Sequence, residues 1–386
     1  MSQRPIPTEL QALIVRLSRR DPRWLLALLA ILVALVLLDR SGGPPDLGPS
    51  PSPPAEGYLV VSWNVENLFD DTDDPKNSDP LDSWFARDPS ALRRKLDLLA
   101  DALLTLDGGR GPDVLALVEV ENRRAVELLR RALNDRLPTE WRYEGVIHRD
   151  NISGRRIEPA VITRLPVDDR ATEALADRRL LRGRLIVEGE PLELVVGHWT
   201  SRVTDAEGSK RLAYARAMYE AYLELERTDP GLADVLLCGD FNDEPDDDSL
   251  RIGLRTSGDA SAVLSSARSA RPRLYNLMAG RDPERFGTYR YRGRWQILDH
   301  LVASPGLLDA EGWALVPDSV RTINTPFLRD DRGGPLRFGD QEHANPRGPS
   351  DHFAVAVRLR LPSSRSEGAV PQGEARAGDA PTAVAE

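Results

Sequence analysis

Six short motifs rich in carboxylates, amides and imidazoles follow one another along this chain. They are Ser62-Trp63-Asn64, Val118-Glu119-Val120-Glu121, Gly197-His198, Gly239-Asp240-Phe241-Asn242, Leu298-Asp299-His300 and Ser350-Asp351-His352. Most follow a short apolar run that reads as a buried strand, which puts their polar side chains at strand ends, where α/β sheets build sites. Gathering several carboxylates and imidazoles there is costly unless a cation and a phosphate need them. The set therefore outlines metal-dependent cleavage of a phosphodiester.

Each motif offers a distinct piece of that chemistry. Asp240 and Asn242 are one residue apart in a strand-like tip and can grip one group together. Asp240 can accept a proton from water while Asn242 holds that water or a phosphate oxygen, although Asp-Phe-Asn-Asp-Glu-Pro is also good turn material. Glu119 is a hard-oxygen ligand suited to Mg²⁺, with Mn²⁺ or Ca²⁺ as alternatives, and Asp351 can face the same ion or a second one. Glu121 and Asn122 are assigned to capping the following helix. Asn64 can add an amide oxygen to the ion or a donor to phosphate, or simply terminate its strand. His198 and His352 flank core strands and can face the phosphorus, with Asp299 holding one imidazole in its useful tautomer. His300 reads as a supporting or structural residue.

Two arginine groups are candidates for substrate contact. Arg155 and Arg156 form either a phosphate clamp or a solvated charge cluster. Arg290, Arg292 and Arg294 alternate with Tyr289, Tyr291 and Trp295. That pattern can track a polynucleotide and stack its bases, with Arg292 as the contact, or it can be an edge strand guarded by charges.

The elements that must position these residues are legible from apolar patterning. Tyr58–Ser62, Val114–Val118, Pro159–Ile162, Leu185–Val187, Leu192–Val196, Val235–Cys238, Ile297–Val302 and Ala354–Leu359 read as strands. Leu92, Leu96, Leu99, Leu103 and Leu106 mark one face of a helix, and Asn122–Leu133 and Ser209–Glu226 read as two more. Residues 58–361 form one α/β domain of stacked sheets flanked by helices. The stretch Pro305–Pro349 reads as a loop unusually long for a compact domain.

Around this domain lie an arginine-bearing segment 1–23, an apolar run 24–38, a Pro-rich linker 39–57 and a polar tail 362–386 expected to be disordered. The apolar run is expected to be an uncleaved signal anchor, with a cleaved signal peptide as the second reading. Arg16, Arg19, Arg20 and Arg23 predict a cytoplasmic N-terminus and a catalytic domain outside a bacterial cell membrane, or a secreted or periplasmic domain after cleavage. The net charge of -10 disfavours indiscriminate polyanion binding. Cys238 is the lone cysteine, so no intrachain disulfide forms, and its apolar strand marks it as core.

The ordered series Asn64, Glu119, His198, Asp240-x-Asn242, Asp299 and Ser350-Asp351-His352 resembles the endonuclease/exonuclease/phosphatase superfamily. The stretch Gly287–Trp295 leading into Leu298-Asp299-His300 looks most like its bacterial, often exported, nuclease-like members. The resemblance implies a four-layer α/β sandwich of two mainly antiparallel sheets flanked by helices. It implies that Asn64 and Glu119 are metal-associated, Asp240 orients water, Asn242 contacts phosphate or water, and His352, supported by Asp299, acts beside His198. Val118 and Val196 stand where that family often has Gln and Asn. The leading expectation is an extracytoplasmic nuclease acting on DNA or RNA. A phospholipid or small-ester phosphodiesterase is the alternative, and an inactive anchored binding module the third. No obligate protein partner is inferred.

Overall fold

The computed structural model describes residues 57–361 except Lys76, Ser78, 151–156, 177–178, 229–231, Ala310 and Ala344. The segments expected to be anchor, linker and tail, at 1–56 and 362–386, and both Arg155 and Arg156, lie outside the described residues. Among the described residues, no helix is long and apolar enough to cross a membrane.

In chain order the strands are β1 (Tyr58–Leu68), β2 (Val114–Val120), β3 (Gly145–His148), β4 (Glu158–Thr163), β5 (Val167–Leu175), β6 (Leu180–Val187), β7 (Glu190–His198) and β8 (Val235–Asp240). There follow β9 (Thr256–Ser257), β10 (Leu274–Asn276), β11 (Tyr289–Tyr291), β12 (Arg294–Gln296), β13 (Asp299–Ala303), β14 (Ala314–Leu315), β15 (Arg321–Ile323) and β16 (Ala354–Arg360). One sheet runs β14-β16-β1-β2-β4-β3, with β15 also on β16; the other runs β5-β6-β7-β8-β13-β10-β9. Only β1/β2 in the first sheet and β7/β8 and β9/β10 in the second are parallel, so both sheets are mixed and mainly antiparallel. The β11–β12 hairpin stands apart.

The alternation of apolar residues makes the layers. In β1, Tyr58 and Val60 face the second sheet while Leu59, Val61 and Trp63 face helices; in β2, Val114, Ala116 and Val118 face inward and Leu115 and Leu117 outward. The outward set is covered by α1 (Pro80–Arg87), α2 (Pro89–Leu103) and α3 (Arg123–Asn134), through residues such as Phe85, Leu92, Leu99, Val126 and Leu129. On the far side, Val195, Val235 and Leu237 pack on Met218, Tyr219 and Tyr222 of α4 (Ser209–Thr228). The result is helix, sheet, sheet, helix. Cys238 faces the inter-sheet core, and burial pushes its thiol up to about 12, so it is no nucleophile.

Local signals account for the helix starts. Asp88 caps α2 by accepting from the N–H groups of Ser90 and Ala91, with Pro89 in the first turn. Asn122 caps α3, as expected, by accepting from Ala125 N–H. Glu121 takes no part in that cap. It is buried, and its carboxylate accepts from Asp70 N–H at 3.0 Å and Asn77 Nδ2 at 3.2 Å. The 305–349 stretch is not a structureless loop either. It contains β14, β15 and short helical turns, and part of it packs against the end of β1.

Candidate active site

Strand register assembles the centre. His198 ends β7, Asp240 ends β8 and Asp299 begins β13; His198 pairs with Asp240 and Asp240 pairs with Asp299, so the three stand side by side across three neighbouring strands. Residues from distant parts of the sequence become a row because each sits at one end of a buried strand on the same edge. The β7/β8 approach needs glycine. Gly239 has φ +134°, and a Cβ there would lie 1.9 Å from the Gly197 carbonyl oxygen. Gly239→Ala is therefore expected to cost on the order of 4 kcal/mol and to spread His198 from Asp240, as checked by thermal melting and residual activity.

The first sheet supplies the opposite wall. Glu119 interrupts β2 in a left-handed conformation (φ 66°), at an irregularity in the pairing with β1 and β4. That bulge turns its carboxylate into the pocket, where Oε2 accepts from Asn67 N–H at 3.0 Å and Oε1 lies 3.5 Å from His198 Nε2. Ser350-Asp351-His352 precedes β16 and is pinned to β1: Ser350 Oγ donates to the Asn64 carbonyl at 2.6 Å and accepts His352 N–H at 3.0 Å. Trp63 Nε1 donates to the His352 carbonyl at 2.9 Å. Glu119, His198, Asp240, Asn242, Asp351 and His352 line one cavity of about 490 Å³.

Asn64, a candidate contact for the ion or for phosphate, lies between two carboxylates. Its amide oxygen accepts from Glu66 N–H, and its Nδ2 donates to both Glu119 Oε1 and Asp240 Oδ2 at 3.0 Å. It is a bridge between two carboxylates. Asn242, also left-handed (φ 53°), donates to Asp240 Oδ2 at 3.1 Å and to the Trp199 carbonyl at 3.0 Å, while its N–H reaches Asp240 Oδ1 at 2.9 Å. These donors fix Asp240 in a buried place. Even so, burial pushes its carboxyl up to about 7; His352 opposes that rise and Asp299 adds to it.

His352 Nδ1 meets Asp299 Oδ2 at 2.7 Å, which fixes the ring and aims Nε2 into the pocket, 3.9 Å from Asp240 Oδ2. Burial works against a charged ring, yet Asp299 and then Asp240 outweigh it and hold the imidazole well above its ordinary pKa. Tyr289 closes over it, ring centres 4.8 Å apart.

A cation fits the carboxylate side of this pocket. Asp351 receives no hydrogen bond from the described residues, and its carboxyl is pushed up to about 7, by burial first and by Glu66, with Glu119 adding to the rise. Such a crowd of carboxylates invites a divalent ion. Ligand atoms of Asp240, Asp299 and His352 also come within 4.8 Å of one another. In that second group His352 Nδ1 is already engaged by Asp299, so Glu119 and Asp351 are the better ion-facing pair.

Several contributors carry no obvious sequence signal. Lys95, on α2, is fully buried and donates through Nζ to the carbonyls of Glu66 at 2.9 Å and Pro349 at 2.7 Å, tying together the turns after Asn64 and before Asp351. Tyr289 stands out in the sequence only as part of an aromatic–arginine alternation. Arg292 sits exposed at the hairpin tip, stacked on Tyr291, and lines an adjoining cavity instead of the reaction pocket. Val118 and Val196, the two departures from the resembled pattern, both face the inter-sheet core, where an amide would be unwelcome. His148 ends β3 and is buried.

His300 is structural, as expected. Its Nε2 donates to the Asp243 carbonyl at 2.9 Å and its Nδ1 accepts from Asn276 Nδ2 at 3.3 Å, a neutral imidazole with both nitrogens occupied. Burial pulls its pKa down to about 4. Because the folded value lies below the unfolded one of about 6.5, the stabilisation is complete above pH 6.5 and is lost as pH falls toward 4. The stability difference between wild type and His300→Gln is expected to shrink by about 3 kcal/mol across that window, measured by denaturant melts at each pH.

A sequence model of the Endonuclease/Exonuclease/phosphatase family matches residues 59–361. The chain belongs to that family. Membership makes the protein a phosphoric ester hydrolase of a class that works with divalent metals. No match was found among curated proteins. An endonuclease/exonuclease/phosphatase family protein from Bacteroides thetaiotaomicron shares the fold at 16% identity and TM-score 0.50, covering 79% of this chain and 98% of its own. A humanized D. rerio TDP2 aligns at 15% identity and TM-score 0.49, covering 80% of this chain and 100% of its own. Truncated TDP2 from Caenorhabditis elegans aligns at 17% identity and TM-score 0.45, covering 79% and 97%.

Proposed function

We propose that this member of the endonuclease/exonuclease/phosphatase family is a Mg²⁺-dependent nuclease that hydrolyses DNA or RNA, working outside the cytoplasm behind its N-terminal apolar segment. The observation that carries the choice of substrate is the β11–β12 hairpin at the pocket mouth. It presents Arg290, Arg292, Arg294 and a half-exposed Tyr291, charge and stacking surface where a lipid hydrolase would need an apolar tip.

Glu119 and Asp351 would hold the ion, which when bound neutralises charge on the nonbridging phosphate oxygens. Asp240, held by Asn64 and Asn242, takes the proton of the attacking water as the water oxygen bonds to phosphorus in line with the P–O bond that breaks, and the departing oxygen takes a proton from solvent. His352, kept as an imidazolium by Asp299, donates from Nε2 to the scissile phosphate, and His198 borders the same pocket as the second imidazole.

A substrate panel for the full chain tests this reading: plasmid DNA, single-stranded RNA, and vesicles of sphingomyelin or phosphoinositide, each with Mg²⁺, Mn²⁺ or EDTA. Metal-dependent cutting of nucleic acid is expected. Turnover of lipid or small esters without nucleic-acid cleavage would reassign the substrate, and silence on every substrate by a folded protein would favour a binding module.

A further inference from the structure

Beside the reaction pocket lies a second cavity of about 570 Å³, which shares Tyr289 and Asp351 with it. The β11–β12 hairpin gives one wall Arg290 and Arg292; the 329–337 stretch gives the other Arg329, Arg332 and Arg337. A chain of net charge -10 has no general reason to gather five guanidinium groups around one hollow.

The carboxylates around it offset only part of this charge. Asp330 Oδ1 accepts the N–H groups of Arg332 and Gly334 at 2.9 and 2.8 Å and so folds its own turn. Asp351, shared by the two hollows, and Glu66, behind the wall, both act on Arg337, which leaves Arg290, Arg292, Arg329 and Arg332 against the exposed Asp331. Arg290 stacks over Trp295 at 5.5 Å and donates to the Arg332 carbonyl, which ties the two walls together.

The far wall is built, not draped. Glu66, buried on β1 two residues beyond Asn64, accepts Phe338 N–H at 2.6 Å, Gly339 N–H at 3.0 Å and Arg337 Nε at 3.1 Å. The strand that positions Asn64 thus also positions the arginine wall.

We propose that this cleft is an anion subsite for the phosphodiester groups flanking the scissile one on a nucleic-acid strand. Planar guanidinium forks match phosphate oxygens, and two hollows that meet at Tyr289 and Asp351 suit consecutive phosphates of one strand. An ester with a single phosphate would occupy the reaction pocket and leave the cleft empty. The proposal rests on the nuclease reading and adds to it that the enzyme recognises several nucleotides.

The experiment compares full-length wild type, Arg332→Glu and Arg332→Ala on a 12-nucleotide single strand, a dinucleotide and bis(p-nitrophenyl) phosphate, with folding checked by thermal melting. Wild type should favour the 12-mer over the dinucleotide. Arg332→Glu should lose about tenfold more kcat/KM on the 12-mer than on the small diester, mostly through KM, with Arg332→Ala smaller in the same direction. Binding of a labelled 12-mer in EDTA, read by anisotropy, should weaken about tenfold, with a salt slope shallower by roughly one. Equal losses on all substrates, or none on the 12-mer, would overturn the subsite while leaving a nuclease. A wild type that turns over the small diester or lipid but no oligonucleotide would overturn the nuclease reading and the subsite with it.

Discussion

Asp240→Asn is expected to lower kcat on any accepted phosphodiester by about 10³-fold while the protein stays folded. Asp240 is the point where the centre's bonds converge: Asn64 and Asn242 donate to it, and His198 and His352 each place Nε2 at 3.9 Å from its Oδ2. An amide of the same shape fills the same space but cannot take a proton from water. KM should change little, because the cation-facing carboxylates and the arginines are untouched. Single-turnover rates with a thermal melt decide the matter; a variant within tenfold of wild type would remove Asp240 from the reaction.

His352→Ala is expected to cost about as much, roughly 10³-fold, and Asp299→Asn about 10²-fold. Asp299 acts through His352: one carboxylate oxygen binds the ring at 2.7 Å, and the other is buried beside it with no hydrogen-bond partner among the described residues. Asparagine would still hold the ring but would no longer stabilise the imidazolium. The two losses should not multiply, since removing the ring leaves Asp299 nothing to support. A double variant no worse than His352→Ala is the expected result. Multiplying losses would mean that Asp299 touches the substrate directly.

Much of this centre is legible in the sequence because its residues end strands. Val235–Cys238 is apolar on both faces, so the polar residues after Gly239 have to emerge at its end, and the same argument holds for Glu119 and His198. Register is not legible. Nothing in the order of motifs says that His198, Asp240 and Asp299 stand on adjacent strands. Asn64 shows a related limit: an amide can serve with oxygen or nitrogen, and only the positions of Glu119 and Asp240 make its Nδ2 a donor to both. Lys95 stays hidden because a lysine on an amphipathic helix normally reaches solvent, whereas two carbonyls from distant turns draw this one inward. The 305–349 stretch, poor in apolar runs, looks like loop because Glu66 and backbone N–H groups organise part of it where a core usually would.

The most direct measurement titrates Mn²⁺ into metal-stripped full-length wild type, His352→Ala and Glu119→Gln by calorimetry, with oligonucleotide cleavage followed on the same samples. Wild type and His352→Ala should bind the ion alike, and only wild type should cleave. Glu119→Gln should bind at least about tenfold more weakly, having lost a charged ligand. Undiminished cleavage in EDTA, or cleavage by His352→Ala at the wild-type rate, would contradict a metal-assisted centre built on these residues.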